Sequence, residues 1–115
     1  MSCVLRVTST RLSEQLAKIS LKPYRIDKGC AHFSVSKCGF DDFPGQLRDA
    51  LAFLSVNNVG VTLLMRSAEA TGVLDFAVEV RTEGFQFRAF PPALVSQAGG
   101  TGLGLELSLY PEESS

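Results

Sequence analysis

Apolar residues recur along this chain with two periods, and the change from one to the other separates helices from strands. "CVLRVT", Cys3 to Thr8, is apolar and β-branched and predicts a first strand. In "STRLSEQLAKI" Leu12, Leu16 and Ile19 return at spacings of four and three, which is one stripe of a helix. Ser9 or Thr10 is placed to cap that helix, and Pro23 ends it near Leu21. "AHFSVSK" alternates Phe33 and Val35 with His32, Ser34 and Ser36, a half-buried strand. "DDFPGQLRDALAFLSVNN" opens with Asp41 or Asp42 as cap and Pro44 in the first turn. Leu47, Ala50, Leu51 and Leu54 then form the buried face of a second helix, closed by Asn57 and Asn58.

Beyond Asn58 the period falls to two. Alternation predicts strands in "VGVTLLMR" (Val59, Val61, Leu63 and Met65 on one side) and in "VLDFAVEVR" (Leu74, Phe76, Val78 and Val80). It predicts two more in "GFQFRAF" (Phe85 and Phe87) and "LGLELSLY" (Leu103, Leu105, Leu107 and Leu109). "PPALVSQA" interrupts them as a short helix with Pro91 or Pro92 in its first turn. The order β-α-β-α-β-β-β-α-β, with one apolar face per strand, predicts an α+β two-layer sandwich. Its sheet is mainly antiparallel, of five or six strands, with two or three helices on one face. No repeat, linker or low-complexity stretch divides the chain, so residues 1–115 read as one globular domain with a mobile tail at 111–115.

The most motif-like passage is "SQAGGTGLGLELSLYP", with Gly99, Gly100, Gly102 and Gly104 close together. Phosphate cradles run from strand to glycines to helix, because the helix start supplies free amides and the positive end of the dipole. Here the glycines follow a helix and precede a strand, and the lysine of a P-loop is missing. Gly99 or Gly100 therefore reads as the left-handed residue that ends the helix. Gly104 reads as a strand position that a neighbour approaches closely.

Composition changes the picture little. Of the residues, 45% are hydrophobic and 20% charged, which suits a folded domain rather than a disordered one. Charge is distributed unevenly: residues 1–40 carry seven Lys/Arg against two acids, and residues 41–115 carry four against ten. With a net charge of −1 the chain lacks the basic excess of a nucleic-acid binder, so nucleic acid is not the expected partner. Arg6, Arg11, Glu14 and Lys18 break up any secretory signal, and no window approaches a membrane helix. Three cysteines without paired spacing suit a reducing compartment. A cytoplasmic location and no membrane contact are expected.

Candidates for chemistry are few. His32 is the only histidine and stands two residues from Cys30, but neighbours at that spacing on a strand lie about 6–7 Å apart and point in parallel. Cys3, Cys30, Cys38 and His32 lack the spacing of a zinc knuckle, so neither a metal nor another cofactor is expected. Adjacent Asp41 and Asp42 are better explained as a helix cap than as paired catalytic carboxylates. The loop "LKPYRIDKG" sets Lys22, Arg25 and Lys28 around Tyr24, an arrangement suited to a small anion or nucleotide. On the outer sheet face, Asp75, Glu79 and Glu106 offer acidic contacts to a protein partner.

"LSEQLAKISLKPYRIDKG", "LRDALAFLSV" and "FRAFPPALVSQAGGTGLGLELSLYP" together resemble a family of small bacterial proteins catalogued as domain of unknown function 4279. The likeness is to its helix, Pro-containing turn and basic stretch, its central helix, and its closing strand, short helix and final strand. Where that family often has a tryptophan in the second strand, this chain has Phe33. The family carries no established catalytic residues. The resemblance implies a non-enzymatic bacterial immunity protein that binds and neutralises a toxin domain encoded nearby. The alternative is an anion-binding regulatory domain using the loop 22–28. A homodimer is compatible with either.

Overall fold

The computed structural model describes residues 2–67, 69–81 and 83–112. Among them nine elements follow one another: β1 (Cys3–Thr8), α1 (Leu12–Leu16), β2 (Arg25–Asp27), β3 (Cys30–Ser36), α2 (Phe43–Val56), α3 (Asn58–Leu64), β4 (Thr71–Val80), α4 (Pro92–Gly100) and β5 (Gly104–Pro111). The strands form one sheet in the order β2-β3-β1-β4-β5. β1 lies at its centre, antiparallel to both β3 and β4. This is the expected α+β two-layer sandwich, with five strands and, among the described residues, four helices on one sheet face.

Burial explains the layering. Along β1 and β4 the residues Cys3, Leu5, Val7, Leu74, Phe76 and Val78 point inward and are fully buried, while Arg6, Asp75 and Glu79 point out. Period-two alternation sets every inward side chain on one face, and that face needs a roof. Ala50 and Leu54 of α2, Val61 and Leu64 of α3, and Leu94 and Ala98 of α4 supply it. Phe76 is clasped between the rings of Phe43 and Phe90, with centroids 5.8 Å and 5.3 Å away. Asp42, one of the two caps that the sequence offers, caps α2 by accepting the Gly45 N–H at 3.0 Å.

Several expectations are corrected. β4 and β5 pair in parallel, joined by the α4 crossover, whereas alternation alone had implied an antiparallel neighbour. "VGVTLLMR" is helical: Val61 and Leu64 are buried one turn apart, and Val59, placed inside by the two-residue period, is 82% exposed. Its apolar residues satisfy both periods, and packing against α1 and α2 decides between them. "GFQFRAF" is a loop in which Phe85 and Phe87 stand in solvent. Conversely, the loop 21–29 contains β2, a short edge strand that turns back on β3 through Lys28 and Gly29, both at positive φ.

The first helix is shorter than its stripe, ending at Leu16, and the Ser9 hydroxyl accepts the Arg11 N–H without capping it. Ser36 is buried rather than outward, because β3 slips by one residue against β1 between Cys3 and Val4. β5 includes Pro111, and the Glu112 N–H bonds to the Val80 carbonyl, so the ordered chain runs into the expected tail. Residues 113–115 lie outside the described residues.

The glycine passage closes a helix. Gly99 and Gly100 are helical, and the left-handed residue is Gly102 at φ 83°. The N–H groups of Gly102 and Leu103 donate to the carbonyls of Gly99 and Ala98, which leaves them nothing to offer an anion. The close approach lies at Gly72 rather than Gly104: a Cβ on Gly72 would stand 2.6 Å from Leu103 Cδ2, against 3.9 Å to the nearest atom at Gly104.

Candidate functional site

The acidic residues of the open sheet face fall in register, Asp75 beside Glu106 and Glu79 beside Tyr110. The sheet neutralises the first pair internally. Arg6 projects from β1 and donates to Asp75 Oδ2 at 2.8 Å and to Glu106 Oε1 at 2.9 Å, while Ser108 donates to Asp75 Oδ1 at 2.7 Å. The Asp75 side chain is 14% exposed and both its oxygens are engaged, so it holds three strands together and has little left for a partner. Arg6 was legible from the alternation of Leu5 and Val7, which turns it outward beside Asp75. Arg6→Ala is expected to cost about 1–2 kcal/mol by stranding Asp75. Glu106→Gln, at an exposed pair, changes stability by no more than about 0.5 kcal/mol. Urea unfolding checks both.

The three basic residues are spread along the β2 hairpin and the chain that leads into it. The Arg25 guanidinium is taken by Asp27 at 2.9 Å, Lys28 sits in the hairpin turn, and Lys22 precedes the strand. None of the three lines any of the clefts described below.

His32 and Cys30 share the open face with Arg25 and Arg6. Burial lowers the His32 pKa, and the charges of Arg25 and then Arg6 lower it further, against a smaller opposing effect of Asp27. A depressed folded pKa means that the unfolded chain binds the proton first as pH falls below about 6.5. Stability therefore declines with acid in that window, and His32→Gln is expected to flatten the decline. Parallel unfolding curves for the two chains between pH 7 and 5 would contradict this.

Cys38 Sγ lies 3.3 Å from Asp49 Oδ2, which also accepts from the Ser36 hydroxyl at 2.7 Å. Hydrogen bonding to Ser36 lowers the Cys38 pKa, but the bond to Asp49, burial and the charges of Asp49 and Asp42 together hold it above its ordinary value. A thiol acting as a nucleophile needs the opposite shift. Burial raises the Cys3 thiol far above its usual range, with Asp75 and Asp49 adding to the effect. Among the described residues no three of His, Cys, Asp and Glu gather closely enough to hold a metal.

A different place draws exposed apolar groups together. At the carboxyl ends of the parallel strands β4 and β5 lies an open cleft of about 370 Å³, bordered by Glu79, Arg81, Phe85, Phe87, Arg88 and Glu112 among others. Phe85 and Phe87 are 84% and 74% exposed, with ring centroids 6.1 Å apart. The loop that carries them is tied down. The Gln86 amide accepts the Arg81 N–H at 2.8 Å and donates to its carbonyl at 2.7 Å, so a side chain does what a strand backbone would. Arg81 also donates to the Phe85 carbonyl, and Arg88 to the Glu79 carbonyl at 2.9 Å. Both guanidiniums thus serve the loop. Beside the cleft Phe40 stacks on Tyr110 at 5.2 Å, with Asp41 and Glu79 lining the space between.

Of the expected contact residues only Glu79 belongs to this surface. The sequence reading missed Phe40, Phe85 and Phe87 because it assigned the latter two to a strand. The available signal was their bracketing by Gly84 and Pro91-Pro92, with Arg88 between. No helix among the described residues is long and apolar enough to cross a membrane. Compared with family models, with curated proteins and with solved structures, the chain matches none.

Proposed function

We propose that this chain is a non-enzymatic protein-binding module whose contact surface is the aromatic end of the sheet, and that its partner is a protein with a basic face. The observation that carries this reading is the pair Phe85 and Phe87, held in solvent on a loop braced by Gln86, Arg81 and Arg88. Large aromatic side chains presented at low entropic cost are what interface anchors require. Their rim favours a basic partner, because Asp41, Glu79 and Glu112 outnumber Arg81 and Arg88 around the cleft, and both guanidiniums spend donors on carbonyls of the chain itself. Acidic groups around an apolar centre give fast association that weakens with salt.

The narrower role, an immunity protein that covers a toxin domain, rests on the family resemblance and would use this same surface. A basic nuclease toxin would match its charge. Co-expression with the product of the adjacent gene, followed by affinity capture, tests the reading. A complex retained by the native chain and lost by Phe85→Ser/Phe87→Ser is expected. Capture that is indifferent to both substitutions contradicts the assigned surface.

A further inference from the structure

The two edges of the sheet are built differently. β2, at one edge, spans three residues and bears Arg25 and Asp27, followed by Lys28 in the turn. A short, charged strand is a poor template for another chain. β5, at the other edge, spans eight residues and pairs with β4 without a bulge, and its one charged residue, Glu106, is held by Arg6. No described residue pairs with its outer side.

Backbone direction along β5 follows from one bond. The Glu112 N–H donates to the Val80 carbonyl. Amides alternate in direction along a strand, so Gly104, Glu106, Ser108 and Tyr110 face β4, and Leu105, Leu107 and Leu109 present N–H and C=O outward. Pro111 also falls on the outward side, where its missing N–H is harmless. The side chains of these leucines lie on the helix-covered face, yet the cover stops short of the edge. Leu105 and Leu107 are half-buried, and Leu109 is 60% exposed.

We propose that a second copy of this chain pairs with it through β5, antiparallel about a two-fold axis at Leu107, to make one continuous sheet of both copies. The sequence of β5 is complementary to itself in that register. Leu107 faces the partner's Leu107, and Leu105 faces the partner's Leu109, so the outward N–H groups of Leu105, Leu107 and Leu109 all meet carbonyls. The leucines of both copies form one apolar strip across the junction, covering what each chain alone leaves half-wet. On the open face Glu106 meets the partner's Ser108, and Gly104 meets the partner's Tyr110. No like charges meet. Pro111 lies just past the last donor and ends the ladder. A two-fold axis makes the contact self-limiting, so it gives a dimer and not a fibre.

Sedimentation velocity over a concentration series tests the pairing. The native chain is expected at twice its chain mass. Leu109→Lys, at a position already in solvent, is expected to keep native circular dichroism and to sediment at the mass of one chain. A second measurement reads the register. Paired residues in such a ladder have Cα atoms about 5.5 Å apart, within disulfide range. In a Cys30→Ser/Cys38→Ser background, Leu107→Cys is therefore expected to oxidise to a covalent dimer. Leu105→Cys, whose counterpart lies four residues away along the ladder, is not. A native chain that stays monomeric overturns the proposal. So does a dimer that survives Leu109→Lys unchanged, or one that cross-links through Leu105→Cys and not Leu107→Cys. The Phe85→Ser/Phe87→Ser chain is expected to dimerise normally, which separates this contact from the partner surface.

Discussion

Phe76→Ala is expected to lower the stability of the chain by about 3–5 kcal/mol. The side chain is fully buried in the longest strand, and two further rings, Phe43 from α2 and Phe90 from the segment before α4, close on it at 5.8 Å and 5.3 Å. Those contacts join the sheet to α2 and to the segment that leads into α4. Truncation leaves a cavity whose walls belong to three separate elements, so no single shift can refill it. A domain of this size is stable by only about 5–15 kcal/mol in total. The variant should therefore be marginal at room temperature, with a urea midpoint far below that of the native chain. Phe76→Leu, which keeps most of the volume, should recover more than half of the loss. A drop below about 1 kcal/mol in Phe76→Ala would mean that the three rings do not form the keystone of the core.

The aromatic loop predicts the opposite combination, a large loss of binding with stability untouched. Phe85 and Phe87 stand mostly in solvent, so alanine at either position should shift stability within the range of ordinary surface changes, about 0.5 kcal/mol. If they anchor the partner, each truncation costs about 2 kcal/mol or more of binding, roughly thirtyfold in Kd. The two rings touch, so the double variant need not lose the sum of the two. Gln86→Ala should weaken binding without removing any ring, because it releases the amide clamp on Arg81 and frees a loop that must then be ordered on association. Calorimetric titration of the captured partner separates these cases. Unchanged affinity in both Phe85→Ala and Phe87→Ala would leave the patch without a role.

Much of the fold was legible because its inner faces are written in alternation. Leu74, Phe76 and Val78 on β4 and Ala50 with Leu54 on α2 are placed inside by their spacing, and Asp42 is one of the two adjacent aspartates that the sequence offers as cap. Alternation failed where a stretch was apolar without being committed to one period. Val59 to Met65 fit a strand on paper and a helix against α1 and α2, and only tertiary contact chooses. Phe85 and Phe87 alternate as a strand would, but Gln86 answers Arg81 with its side chain, which removes the need for a neighbouring backbone. Strand direction was equally hidden. A parallel β5 follows from α4 carrying the chain back along the sheet, and nothing in "LGLELSLY" itself records that.

The site was harder to read than the fold for a related reason. Acidic residues on an open face look available until their cationic neighbour is known. Arg6 comes from a strand 69 residues before Asp75 and 100 before Glu106, and it takes up both. Of the three acids expected to meet a partner, only Glu79, further along β4 and not bonded to Arg6, stands among the exposed aromatic groups.

Hydrogen–deuterium exchange of the chain with and without its captured partner tests the central claim most directly. Slowed exchange concentrated at 40–41, 81–90 and 110–112, with the hairpin 22–32 unchanged, is the predicted outcome. Protection at the hairpin with none across 81–90 would contradict it, and would return the search for a binding surface to Lys22, Arg25 and Lys28.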